Sequence, residues 1–236
     1  AYALGYTGKG LFLGIFDTPV NFMHREFTDK TGSGFLWHGD ASAIDWATDT
    51  HGSHVAGIMA AARNGLGMHG LAFNADILSA NLFAESLWIP DDTVFESLQR
   101  LGADPRVRVI NHSWVALQDT LDVIEWDDLM MQNLPQASGG RGEIIRILRQ
   151  QMLQQDVVQV FSAGNQGYSA ASSLPSMFIR EEADIALRVM NVASVDAQFF
   201  DTGANTATSP AVVSVFSNLA KYAEESSLSA PGSNIL

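Results

Sequence analysis

Residues 51–57 read HGSHVAG and run on as IMAAAR to Arg63. The stretch is Ala-rich and free of proline, which predicts a helix over 52–63. Gly52, Ala56 and Gly57 are small enough to let that helix lie close against a neighbouring layer. His51 opens the helix, and an imidazole at a helix N-terminus is held rigidly while one face stays free.

Working outward, the layer this helix needs is supplied by short β-rich runs. These are 11–17 (LFLGIFD), 77–82 (ILSANL), 107–113 (VRVINHS), 157–163 (VVQVFSA) and 189–195 (VMNVASV). They are apolar on both faces, as strands buried in a parallel sheet are. Two further helices are expected. Residues 91–101 begin with acidic side chains suited to a helix N-terminus, and 143–155 place Ile144, Leu148 and Met152 on one face. Strand–helix alternation of this kind predicts an α/β domain, a three-layer fold with a mostly parallel central sheet flanked by helices.

The acidic stretch 117–142, which ends in a Gly-rich loop, interrupts the rhythm and reads as a surface insertion. Residues 229–236 (SAPGSNIL) read as a turn followed by a new apolar run. The whole of 1–236 is expected to be one domain, cut short at its C-terminus. The first residue is Ala1 rather than methionine, with no charged and apolar leader, so any signal peptide or pro-segment is expected to have been removed or to lie outside residues 1–236.

The composition narrows the partners. With 13 basic and 26 acidic residues the formal charge is −13, which disfavours nucleic acid and anionic membranes. There is no apolar run near the roughly 18 residues of a membrane span. There is no cysteine, which excludes a disulfide framework and a thiol nucleophile.

Three segments carry candidate chemistry. Asp17 closes an apolar strand, where a carboxylate is costly to bury unless it is hydrogen-bonded or paired. Taken singly it fits a turn cap as well as a catalytic role. His51 and His54, three apart, are open to reading as a metal pair, although no third ligand accompanies them; His54 otherwise reads as a packed helix residue. Asn165, in Ser162-Ala163-Gly164-Asn165-Gln166-Gly167, lies just past a strand. Asn and Gly are ordinary turn residues, yet a side-chain amide there can donate to an oxyanion.

In the order GIFDT, HGSHVAG and SAGNQG, these segments resemble the subtilisin-like serine proteases. Further matches are Tyr6-Thr7-Gly8-Lys9-Gly10 before the first strand, Asn111-His112-Ser113-Trp114 at a strand end and the Ala230-Pro231-Gly232 turn. The resemblance implies a serine endopeptidase acting on peptide or protein substrates, with no cofactor and no metal site named. It implies that His51 is the general base and then acid, Asp17 its orienting partner and Asn165 an oxyanion donor. Ser113, Trp114 and Val115 would line the substrate groove, with Ala163 and Gly164 on the opposite wall. The pattern departs after Ser113, where Trp-Val-Ala replaces the usual leucine and two glycines.

A larger departure concerns the nucleophile. The family's G-T-S-x-[AS] segment does not occur in residues 1–236, and Ser173 and Ser176, flanking Leu174-Pro175, read as turn residues. The serine is therefore expected beyond Leu236, with residues 1–236 inactive alone. An inactive interaction module of the same fold is the alternative, against which the retention of Asp17, His51 and Asn165 speaks. Gly67 to Asn74 and the 117–142 segment resemble the passenger protease domains of Gram-negative autotransporters, with His69 a structural residue. That implies a secreted or surface-displayed enzyme, with a pro-segment, a C-terminal translocator or the rest of its own chain as partners.

Overall fold

The computed structural model describes residues 2–35, 50–82, 92–114, 140–181, 183–196, 212–221 and 223–233. The greater part of the 117–142 insertion and Val115 lie outside them. The chain divides into two compact units: residues 1–113 with 138–159, and residues 114–137 with 160–236.

In the first unit the strands are β1 (Phe12–Asp17), β2 (Gly34–Phe35), β3 (Asp76–Asn81) and β4 (Val107–His112), in the order β2-β3-β1-β4. The β1–β3, β1–β4 and β2–β3 pairs are all parallel, with Asp17 opposite Asn81 and Ile15 opposite Asn111. Helices α1 (His51–Ala60), α2 (Asp92–Ala103) and α3 (Gly140–Gln154) belong to the same unit. Parallel strands need crossover connections, and helices supply them. The core forms where α1 lies on β1 and β3: Ala56 and Ala60 of the helix meet Ile15, Val20, Phe27, Ala75 and Ile77. Gly14 marks a close approach inside the sheet, since a Cβ there would sit 2.7 Å from Ile110 Cγ1.

The chain passes into the second unit within β5 (Val158–Ser162). There β6 (Val189–Asp196) pairs in parallel with β7 (Ser227–Ser233), and Ala163 N–H donates to Val192 O at 2.9 Å. Helices α4 (Ser173–Glu181) and α5 (Ala183–Ala186) pack against β6. Phe161 and Phe178 are buried with their rings 6.5 Å apart.

Four local expectations are corrected. Ser173 and Ser176 lie in helix α4, not in a turn. Pro175 falls in the first turn of that helix, where its missing N–H breaks no intrahelical bond. Residues 140–142 begin α3 rather than ending a Gly-rich loop. Ala230-Pro231-Gly232 is extended within β7, at the end of the strand order, where proline is tolerated because it need not donate. Strand β6 is not apolar on both faces to equal depth: Val189, Asn191, Ala193 and Val195 are buried while the alternate residues are half-buried.

Candidate active site

Asp17 is the last residue of β1 and His51 the first of α1, so a strand end and a helix start deliver the pair. Such C-terminal strand ends are where open parallel sheets gather functional groups. His51 Nδ1 donates to Asp17 Oδ1 at 2.6 Å, a charge-assisted length. The same oxygen accepts Thr18 N–H at 2.7 Å. Asp17 is 1% exposed whereas the His51 side chain is 57% exposed. The carboxylate is thus held in the protein and the imidazole faces outward. The hydrogen bond that His51 donates to Asp17 raises the His51 pKa above the ordinary histidine value; partial burial opposes this, and the carboxylate's charge adds to it.

Helix α1 is capped from outside its own sequence. Thr50, which precedes it, makes no side-chain cap bond, and Thr18 Oγ1 accepts Gly52 N–H at 2.7 Å instead. Only glycine fits at 52, because a Cβ would lie 2.0 Å from Thr18 O. Ser53 Oγ adds a third tie by accepting Asn21 N–H at 2.8 Å. Thr18 was not among the residues singled out from sequence; its place directly after Asp17 was the available signal.

His54 is exposed, not packed, because it projects from the side of α1 away from the buried Ala56 and Ala60. Among the described residues no group of three or more His, Cys, Asp and Glu side chains is placed to hold a metal ion. His69 stacks near Tyr2 and Phe73, with ring centroids 6.2 Å and 5.6 Å away.

Ser113 directly follows β4, and Asn111 Nδ2 donates to its hydroxyl at 2.8 Å. Behind it, His112 is fully buried, bonded through Nε2 to Gln159 Oε1 at 2.7 Å. Burial lowers the His112 pKa to about 4, against the opposing effect of the Gln159 hydrogen bond. Gln159 Nε2 donates in turn to Gln151 Oε1, and Gln151 Nε2 to Leu98 O, at 3.0 and 2.7 Å.

In the second unit Trp114 is half-buried, Ala163 and Gly164 are buried, and Asn165 is exposed. Gly164 has φ +107°, a conformation side chains rarely adopt, so the turn presenting Asn165 depends on glycine. The Asn165 side-chain amide has no hydrogen-bond partner among the described residues. Its backbone N–H donates to Gln166 Oε1 at 3.0 Å.

Comparison with known proteins gives this geometry a context. A sequence model of the subtilase family matches residues 8–236. An extracellular serine protease of Serratia marcescens is 32% identical over 161 residues, covering 65% of this chain and 14% of the relative. Subtilisin E of Bacillus subtilis is 23% identical over 92% of this chain and 51% of its own. The chain thus spans about half or less of these relatives' length. Among solved structures, the prenylagaramide maturation protease PagA superposes with a TM-score of 0.63 at 19% identity, covering 100% of this chain and 67% of that one. A psychrophilic subtilisin-like protease, Apa1 from Pseudoalteromonas, gives 0.60 at 19% identity, covering 97% and 42%.

Proposed function

We propose, on the premise that this chain belongs to the subtilase family of serine proteases, that it is the greater part of a serine endopeptidase domain over 1–236. The observation that carries the reading is the 2.6 Å bond from exposed His51 to buried Asp17. In the proposed reaction His51 Nε2 takes the proton of a serine hydroxyl as the oxygen attacks the substrate carbonyl. The imidazole then returns that proton to the leaving amine. Asp17 holds Nδ1 protonated, so that Nε2 is the basic nitrogen, and its charge stabilises the transient imidazolium.

Asn165 is proposed to donate its side-chain amide to the tetrahedral oxyanion, a role suited by an exposed amide that has no hydrogen-bond partner among the described residues. Ser113, Trp114, Val115, Ala163 and Gly164 are proposed to contact the peptide. The nucleophile is proposed to lie beyond Leu236, because no G-T-S-x-[AS] segment occurs within residues 1–236. Secretion is proposed, which relatives named extracellular favour. Display at the bacterial surface, in the manner of an autotransporter passenger, is proposed on the sequence resemblance of Gly67 to Asn74 and the 117–142 segment alone. Among the described residues no helix is long and apolar enough to cross a membrane.

The test is covalent labelling of the longer chain by a serine-directed fluorophosphonate, alongside peptide cleavage. Labelling of one serine beyond Leu236, lost in His51→Ala and absent from isolated residues 1–236, is the expected result. Labelling of a serine inside 1–236 would overturn the assignment of the nucleophile, and equal cleavage by wild type and His51→Ala would overturn the dyad.

A further inference from the structure

The turn that presents Asn165 is closed around another asparagine, Asn218, more than fifty residues later in the same unit. Asn218 is 3% exposed. Its Oδ1 accepts two backbone N–H groups of the turn, from Gln166 at 3.1 Å and Tyr168 at 2.9 Å. Its own backbone N–H donates to Gly164 O at 2.9 Å. Its Nδ2 donates to Gln166 Oε1 at 3.1 Å, the same oxygen that accepts Asn165 N–H. Residues on both sides of Asn165, and through Gln166 the backbone N–H of Asn165 itself, are therefore referred to one buried side chain.

The backbone on either side reinforces this. Gly167 N–H donates to Phe216 O and Leu219 N–H to Tyr168 O, each at 2.8 Å, so 216–219 runs alongside the turn. Gly164 is required here on a second count besides its φ. A Cβ at 164 would lie 2.5 Å from Asn218 Nδ2 and 2.8 Å from Gln166 Oε1. The space a side chain would take is occupied by the bonded amides. A carboxamide is also the side chain suited to the task, since one end accepts two N–H groups while the other donates.

We propose that Asn218 is the positioning residue for Asn165, setting where the oxyanion-stabilising amide points. This rests on the reading of Asn165 as that donor. Preorganised donors act because they are already placed when charge develops, and a misplacement of about 1 Å costs up to about 100-fold in rate. Asn218 touches neither substrate nor nucleophile in this scheme. It acts through the turn.

The experiment is a double-mutant cycle in the longer, catalytically complete chain, with rates normalised by fluorophosphonate titration of competent sites. Asn218→Ala is expected to lower kcat about 10–100-fold with KM within about twofold, and to have little further effect on kcat in an Asn165→Ala background. Asn218→Asp keeps the acceptor for both backbone N–H groups and is expected to stay within about tenfold of wild type. It replaces the alanine variant in the cycle if that one does not fold. Independent, multiplicative effects of the 218 and 165 substitutions, or a loss confined to KM, would overturn the positioning role while leaving Asn165 as donor. An unchanged kcat in Asn165→Ala alone would overturn the donor reading, and this inference with it.

Discussion

Thr18 Oγ1 accepts the backbone N–H of Gly52 at 2.7 Å, which ties the residue after Asp17 to the residue after His51. The Asp17–His51 contact is thereby bracketed by a second bond, from the start of α1 to the residue just past β1, one that needs no ionised group. Thr18→Val keeps the shape and deletes the acceptor. It is expected to destabilise the protein by about 1 kcal/mol, as loss of a helix cap does, and to lower kcat more than it raises KM. Thr18→Ser should restore both. Thermal melts and steady-state kinetics check this, and a valine variant indistinguishable from wild type would mean the cap does nothing for the dyad.

Gly52 is the steric counterpart of that bond. Gly52→Ala would drive a methyl group to 2.0 Å from Thr18 O, so α1 must move away from β1. The expected outcome is a loss of about 1–3 kcal/mol in denaturant-unfolding stability, despite alanine's better helix propensity. Retained stability would show that the helix shifts freely.

The His51 imidazole should titrate above an ordinary histidine, because its bond to Asp17 favours the cation. The sign follows directly. His51 contributes stability that is fully present below the unfolded pKa of about 6.5 and lost as pH rises through the raised folded value. In its proposed role of general base it works neutral, so the acid limb of kcat/KM should lie above pH 6.5 and move down in Asp17→Asn. NMR titration of the His51 ring measures the shift, and equal midpoints in wild type and Asp17→Asn would remove Asp17 as its cause.

His112 predicts the opposite behaviour. Its folded pKa, about 4, lies below the unfolded value, so the unfolded state takes up a proton first as pH falls. Stability present above about pH 6.5 should decline down to about pH 4, by about 3 kcal/mol in all. His112→Gln should flatten that interval of the stability–pH curve. Denaturant melts from pH 7 to 4 compare the two, and parallel curves would assign the acid sensitivity elsewhere.

Removing the machinery itself should be graded. In the longer chain His51→Ala is expected to lower turnover by several orders of magnitude and Asp17→Ala somewhat less. Asn165→Ala should lower kcat about 10²–10³-fold with little change in KM, since in the proposed role the amide meets the oxygen chiefly in the transition state. Peptide-cleavage kinetics decide each case, and a loss in KM alone for Asn165→Ala would reduce that residue to a groove wall.

The local sequence was sufficient where structure repeats over short distances. The cores of β1 and β3 and the start of α1 at His51 were legible because a buried strand needs a continuous apolar run, and a helix on a sheet needs small residues such as Ala56. Strands β4, β5 and β6 were legible as β-rich runs, although burial along them is interrupted. Asp17 and His51 stood out because their segments match a family pattern residue by residue. Local reading failed where one short segment serves two purposes. Leu174-Pro175 suits a turn and equally the first turn of α4, and Ala230-Pro231-Gly232 suits a turn and equally the last strand of a sheet. In each case the neighbouring partners chose. Tertiary structure alone decided that Thr18, not Thr50, caps α1, and that Asn218 fills the Asn165 turn. Those bonds join residues 34 to 52 positions apart, and no periodicity encodes such separations. They form because buried N–H and C=O groups must find partners, and the fold determines which ones lie within reach.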